Sequence, residues 1–233
     1  MKGVRKPVVL EFAHQGSPID LYLDLVALHL VNQADPLRVE LLPPNYRKLI
    51  EARAMIRSGA HSSALELLIR IENSKDPFIQ AESRFLAGNI QYSANHFEAS
   101  RQCFRVAHQK FSELNLKARE LLAEFNSAQC SNWLGAFEEA AETEDRVLAL
   151  AQERGFLNLQ ALGLRAVAYR YLRWGSYPES LEYFLKAEKL FFGMGNRSDG
   201  ALCLLYSILL KCVCDCDVDV SLDLFSERYG AIN

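Results

Sequence analysis

Apolar residues recur every three or four positions over most of the chain, the spacing of one helix face. The pattern also repeats at longer range. At a spacing of 40, Asn95, Gly135 and Gly175 coincide, and Phe97, Phe137 and Tyr177 follow two residues later. Ser100, Ala140 and Ser180 come next, then Ala107, Val147 and Ala187. Upstream, Gly88, Ala128 and Ala168 align; downstream, Asn115, Gly155 and Gly195. Asn and Gly tolerate the left-handed conformation that ends a helix. The first set therefore marks a turn inside a helix pair and the last set a turn between pairs. The register predicts pairs over 79–113, 116–154 and 157–193, with helices of about 15 to 19 residues. Small residues at 88, 128 and 168 let the two helices of a pair approach closely. The rings at 97, 137 and 177 are expected to fill the space beside the intra-pair turn.

A looser unit precedes these three: Ala52, Gly59, Ala64, Leu68 and Ile71, its turn 36 residues before Asn95. Asp76-Pro77 then supplies an N-cap and a first-turn proline. No proline lies between Pro77 and Pro178, which argues against a sandwich or barrel full of turns.

The ends differ. Ser17-Pro18 reads as an N-cap and first helical residue. Residues 19–32 are apolar on most sides, as expected of a buried helix that caps the open end of a stack. Pro36, Pro43 and Pro44 bound a connector, and residues 1–15 are expected to be extended or disordered. The resulting division is an extension and cap over 1–44, and repeats over 45–78, 79–115, 116–155 and 156–195. A helical hairpin over 201–233 follows. Its first helix, 201–213, carries Leu202, Leu204, Leu205, Ile208, Leu209 and Leu210, more apolar surface than one neighbour covers. Val218, Leu222, Phe225 and Tyr229 form one stripe of a partner helix. Residues 201–230 are thus expected to pack on another molecule, a homodimer being the simplest case, or on sequence continuing past Asn233.

The units resemble the tetratricopeptide repeat: a small residue, a Gly-x-aromatic turn, Ala, an aromatic four residues later and Ala three after that. The best match is Ala168, Tyr171, Gly175-Ser-Tyr177, Ser180, Phe184 and Ala187. Gly88, Asn95-His-Phe97, Ser100, Phe104 and Ala107 form another, and Ala128, Gly135-Ala-Phe137 and Ala140 a third, with Glu144 where an aromatic is expected. The 40-residue spacing departs from the family's standard 34, and Arg84, Glu124 and Leu164 stand at the position of its tryptophan. The resemblance implies an all-α, right-handed α-solenoid of antiparallel helix pairs with capping helices. It also implies that the first helices line a concave groove. Carried across residue by residue, the groove register falls on Leu49, Arg53, Ile56 and Arg57, then Phe85, Asn89, Tyr92 and Ser93. It continues at Phe125, Asn126, Gln129, Asn132 and Trp133, then Arg165, Tyr169, Leu172 and Arg173. Asn89 and Asn126 fall where chaperone-binding members hold a peptide carboxylate. The basic partners of that clamp would fall at Phe85, Leu162 and Ala166, so that particular ligand does not fit.

Composition narrows the function further. Lys plus Arg is 26, Asp plus Glu is 29 and the net charge is −3, against a generic nucleic-acid binder. The apolar stretch after the basic start ends at Glu11, too short for a signal peptide, and no run of about 18 apolar residues exists to span a membrane. The six cysteines, at 103, 130, 203, 212, 214 and 216, are not spaced like a disulfide framework. A reduced, cytoplasmic protein is expected. Cys212-x-Cys214-x-Cys216 lacks the second pair of a zinc site, and Asp215, Asp217 and Asp219 lack the Gly and Glu of a calcium loop. No phosphate loop and no His, Cys or Ser at catalytic spacing is present. The expectation is a scaffold or adaptor without enzymatic activity, metal or cofactor. It would bind a protein or peptide segment in the groove, through amides, aromatics and arginines that favour acidic residues. A regulatory domain that binds a small peptide or ligand to control an output partner is an alternative. So is an accessory or truncated part of a larger enzyme.

Overall fold

The computed structural model describes residues 17–30 and 36–214. Among them every regular element is a helix. α1 (Pro18–Leu30) and α2 (Pro36–Glu40) precede α3 (Pro44–Arg57) and α4 (His61–Glu72). Then come α5 (Pro77–Ser93) and α6 (Phe97–Glu113), α7 (Lys117–Trp133) and α8 (Phe137–Arg154), α9 (Leu157–Arg173) and α10 (Tyr177–Gly193), and last α11 (Arg197–Val213). From α2 onward each helix packs on the next in sequence, α1 packs on α3, and the first helices of neighbouring pairs also touch, α3 on α5 and α7 on α9. This translational stacking is an α-solenoid. No described helix is long and apolar enough to cross a membrane.

The turns fall where the register placed them. Asn95 has φ 60°, Gly135 88° and Gly175 75°. At the first of these, His96 N–H reaches Gln91 O at 2.9 Å and Asn95 N–H reaches Tyr92 O at 3.0 Å. That pair of bonds satisfies carbonyls left over at the helix end. Close approach inside a pair also has a direct cause. A Cβ on Gly88 would lie 2.8 Å from the Phe104 ring, and Ser100 Oγ donates to Gly88 O at 2.8 Å. Ser180 Oγ repeats that bond to Ala168 O at 2.9 Å. Phe104, Ala107 and Phe111, and again Phe184, Ala187 and Phe191, form the buried seams.

The rings after the turns behave differently from the expectation. Phe97 is half-buried, but Phe137 and Tyr177 are exposed. Two of these rings reach toward the next pair: Phe97 stacks on Trp133 at 5.2 Å, and the Arg173 guanidinium lies 5.3 Å from the Phe137 ring centre.

α1 is tied down by a buried polar knot. Tyr22 and Leu25 are buried, and Tyr22 Oη donates to Glu82 of α5 at 2.9 Å. Arg53 and Arg119 both ion-pair with that carboxylate. Burial pushes the Glu82 carboxyl up, but Arg119 and Arg53 outweigh it and hold it below its ordinary range. The expected partner helix at 218–229 and the extension at 1–15 lie outside the described residues.

Candidate functional site

The first helices converge on a concave cavity of about 860 Å³, inside the range of roughly 300–1,000 Å³ usual for ligand pockets. Asn89 and Tyr92 of α5 line it, with Asn126, Gln129, Asn132 and Trp133 of α7 and Arg165, Tyr169 and Arg173 of α9. Each set is spaced by three or four residues and shares one helix face. The stacking of first helices makes those faces one surface.

At the floor lies Glu144 of α8, in the place that Phe104 and Phe184 occupy in the flanking pairs. Only 2% of it is exposed. It accepts hydrogen bonds from Gln129 Nε2 at 2.6 Å and from Asn132 Nδ2. Burial pushes its carboxyl above the ordinary range, against the opposing pull of Arg170, the Asn132 amide and Arg173. With their amino groups turned to Glu144, the two amides are left with carbonyl oxygens to accept from a ligand. Asn89 and Asn126 are half-buried, and among the described residues their side-chain amides have no partner.

Aromatic groups form the side of the cavity. Trp133 donates its indole N–H to Tyr92 Oη at 2.7 Å and is 64% exposed. Tyr169 packs edge-on against Phe184 and Tyr206, both at 5.1 Å, and burial raises its phenol. Arg165 is ion-paired with Asp199. Arg173 is exposed, with no carboxylate partner among the described residues.

Eleven of the seventeen residues that the groove register names therefore meet around one cavity, and six do not. Leu49 is buried in the core with Ile56 packed against it, and Ser93 is exposed at the end of α5. Arg53 lies in the buried knot with Tyr22 and Glu82. Phe85 is 4% exposed and sits in the seam against Phe104, with the Arg119 guanidinium 4.4 Å from its centre. Arg57, at the exposed end of α3, is not part of the lining. The arginines that do line the cavity, Arg165 and Arg173, both belong to α9. Sequence reasoning missed the lining from second helices, Phe104, Phe137 and Glu144, and from α11, Leu202 and Tyr206. A signal for the last two existed: they stand 40 residues after Leu162 and Ala166, which also line the cavity.

No protein-family model matches this sequence, and no curated protein sequence does. Solved structures do resemble it. A Rap protein complexed with competence and sporulation factor superposes with a TM-score of 0.69 at 15% identity, over 90% of this chain and 59% of that one. The fold is that of a TPR-like helical-repeat protein. BtubC (BKLC) from P. vanneervenii gives a TM-score of 0.61 at 14% identity, over 94% of this chain and 93% of that one. The apo form of RapI gives 0.57 at 16% identity, over 89% and 57%. This helical-repeat chain therefore spans about three fifths of the two Rap structures, and at these identities the likeness is one of fold.

Proposed function

We propose that this helical-repeat chain is a non-catalytic, cytoplasmic interaction module that holds an extended peptide or protein segment in its concave groove. The observation that carries the reading is the convergence of eleven predicted groove residues on one cavity, with Asn89 and Asn126 half-buried and without a protein partner among the described residues. Water solvates these half-buried amides in the free groove, and a ligand that displaces it must complete their hydrogen bonds. An extended backbone offers the alternating donors and acceptors that would do so. The Rap neighbour solved with competence and sporulation factor supports the idea that a solenoid of this shape holds a partner. Arg173 gives the segment's end near α9 a preference for a carboxylate, and Trp133 covers an apolar side chain beside it.

Self-association through the C-terminal helices is a second, separate proposal. Leu202, Leu205, Leu209 and Val213 form an exposed stripe on α11, and a second copy would cover it.

The groove reading is tested by panning a random peptide library on the wild-type chain and titrating the selected peptides against N126A and W133A. Each substitution should weaken binding by about 1–3 kcal/mol, the scale of anchor residues, with helicity unchanged by circular dichroism. Equal affinity for both variants would move the site elsewhere.

A further inference from the structure

Four of the first helices end on a residue followed by a left-handed turn, and these end residues are equivalent: Ser58, Ala94, Leu134 and Trp174. Ser and Ala at two of them show that the turn needs no large apolar group there. Yet Trp174 is 68% exposed and Leu134 44%. Phe137 and Tyr177, three residues after these, are exposed too. Antiparallel pairing puts the end of each first helix and the start of each second helix on one edge of the solenoid. The contact between Arg173 and Phe137 shows that successive turns are neighbours along that edge. Leu134, Phe137, Trp174 and Tyr177 therefore make an aromatic ridge outside the packing that holds the fold. Large apolar groups clustered in water mark an interaction surface.

The charge beside the ridge selects the occupant. Glu138 and Glu139 stand in the first turn of α8 and Glu179 in the first turn of α10. Glu138 and Glu179 have no cationic partner among the described residues, and Glu139 has only Arg105, at 3.9 Å. Each helix N-terminus offsets about half a charge, so the flank stays negative. The one cation on the ridge, Arg173, already lies over Phe137. Negative flanks repel nucleic acid and anionic lipid alike, and exposed indole and phenol faces attract Lys and Arg.

We propose that this edge is a second docking surface, adjoining the groove at Phe137, for a basic amphipathic segment of a partner protein that carries Lys or Arg between apolar side chains. The proposal does not depend on what the groove binds.

Of the chain's two tryptophans, Trp174 stands on the ridge and reports on it, while Trp133 lines the adjoining groove. The probes are a tryptophan-free 18-residue amphipathic helix of Leu and Lys and its Leu/Glu counterpart in the same pattern. The Leu/Lys peptide should shift the tryptophan emission and bind at least about tenfold more tightly than the Leu/Glu peptide. L134S/W174S should weaken that binding about tenfold, as read by titration calorimetry, and E138K/E179K should abolish the preference for the basic peptide. N126A, in the groove, should leave it unchanged. Equal binding of the two peptides, no binding of either at about 1 mM, or loss of binding in N126A would overturn the proposal.

Discussion

Two buried carboxylates, both on helices that shape the groove, respond to their surroundings in opposite senses. Glu82 is held below its ordinary range because Arg119 and Arg53 outweigh burial. Its contribution to stability is present above the unfolded-state value and is lost as pH falls through the lowered folded value. Glu144 is raised by burial, and its two amides and nearby arginines do not offset that. For a carboxyl whose folded value is raised, ionisation costs stability above that value, and the cost is relieved as pH falls toward the ordinary one. E82Q should therefore destabilise the chain at neutral pH by about 3–5 kcal/mol, since it leaves two arginines facing an uncharged group. E144Q should raise the melting temperature at pH 7 and have little effect at pH 4. Thermal melts of both variants across that range check the signs. A Glu144→Gln change that destabilises at pH 7 would mean that the amide network outweighs the burial cost.

At the scale of elements, the left-handed residues made the architecture legible. Asn95, Gly135 and Gly175 fixed the turns, and the predicted pairs 79–113, 116–154 and 157–193 begin and end within two residues of the observed helices. Asp76 was legible as a cap for the same local reason. It accepts from Phe78 N–H at 2.9 Å and also from Tyr46 Oη at 2.9 Å. D76A should cost about 1–2 kcal/mol, measurable by urea unfolding; no loss would show that the cap is replaced by water. What local pattern did not reveal was pairing across helices. Arg53 and Phe85 carry the right spacing for the groove, but their partners Glu82, Arg119 and Phe104 come from other elements. Phe137 likewise meets Arg173 of the neighbouring pair. The α11 stripe yields its own expectation. Sedimentation should show self-association of the wild type in the micromolar range that L205E/L209E reduces; a wild type that stays monomeric at high micromolar concentration contradicts it.

For the whole molecule, stacking converts a local repeat into a continuous concave surface that no single helix pair possesses. The cavity draws on α5 to α9 and on α11, so its shape depends on the spacing of four successive first helices. The likeness to the Rap and BtubC structures concerns this stacking, while the side chains facing inward are this chain's own. The central claim is that an extended segment lies along them and completes the unpartnered amides. The most direct measurement is the nitrogen-15 spectrum of side-chain amides during titration with a library-selected peptide. The account predicts that the Asn89 and Asn126 resonances shift saturably together while those of Asn45 and Asn73, outside the groove, stay in place. A bound peptide that leaves Asn89 and Asn126 unmoved would contradict it.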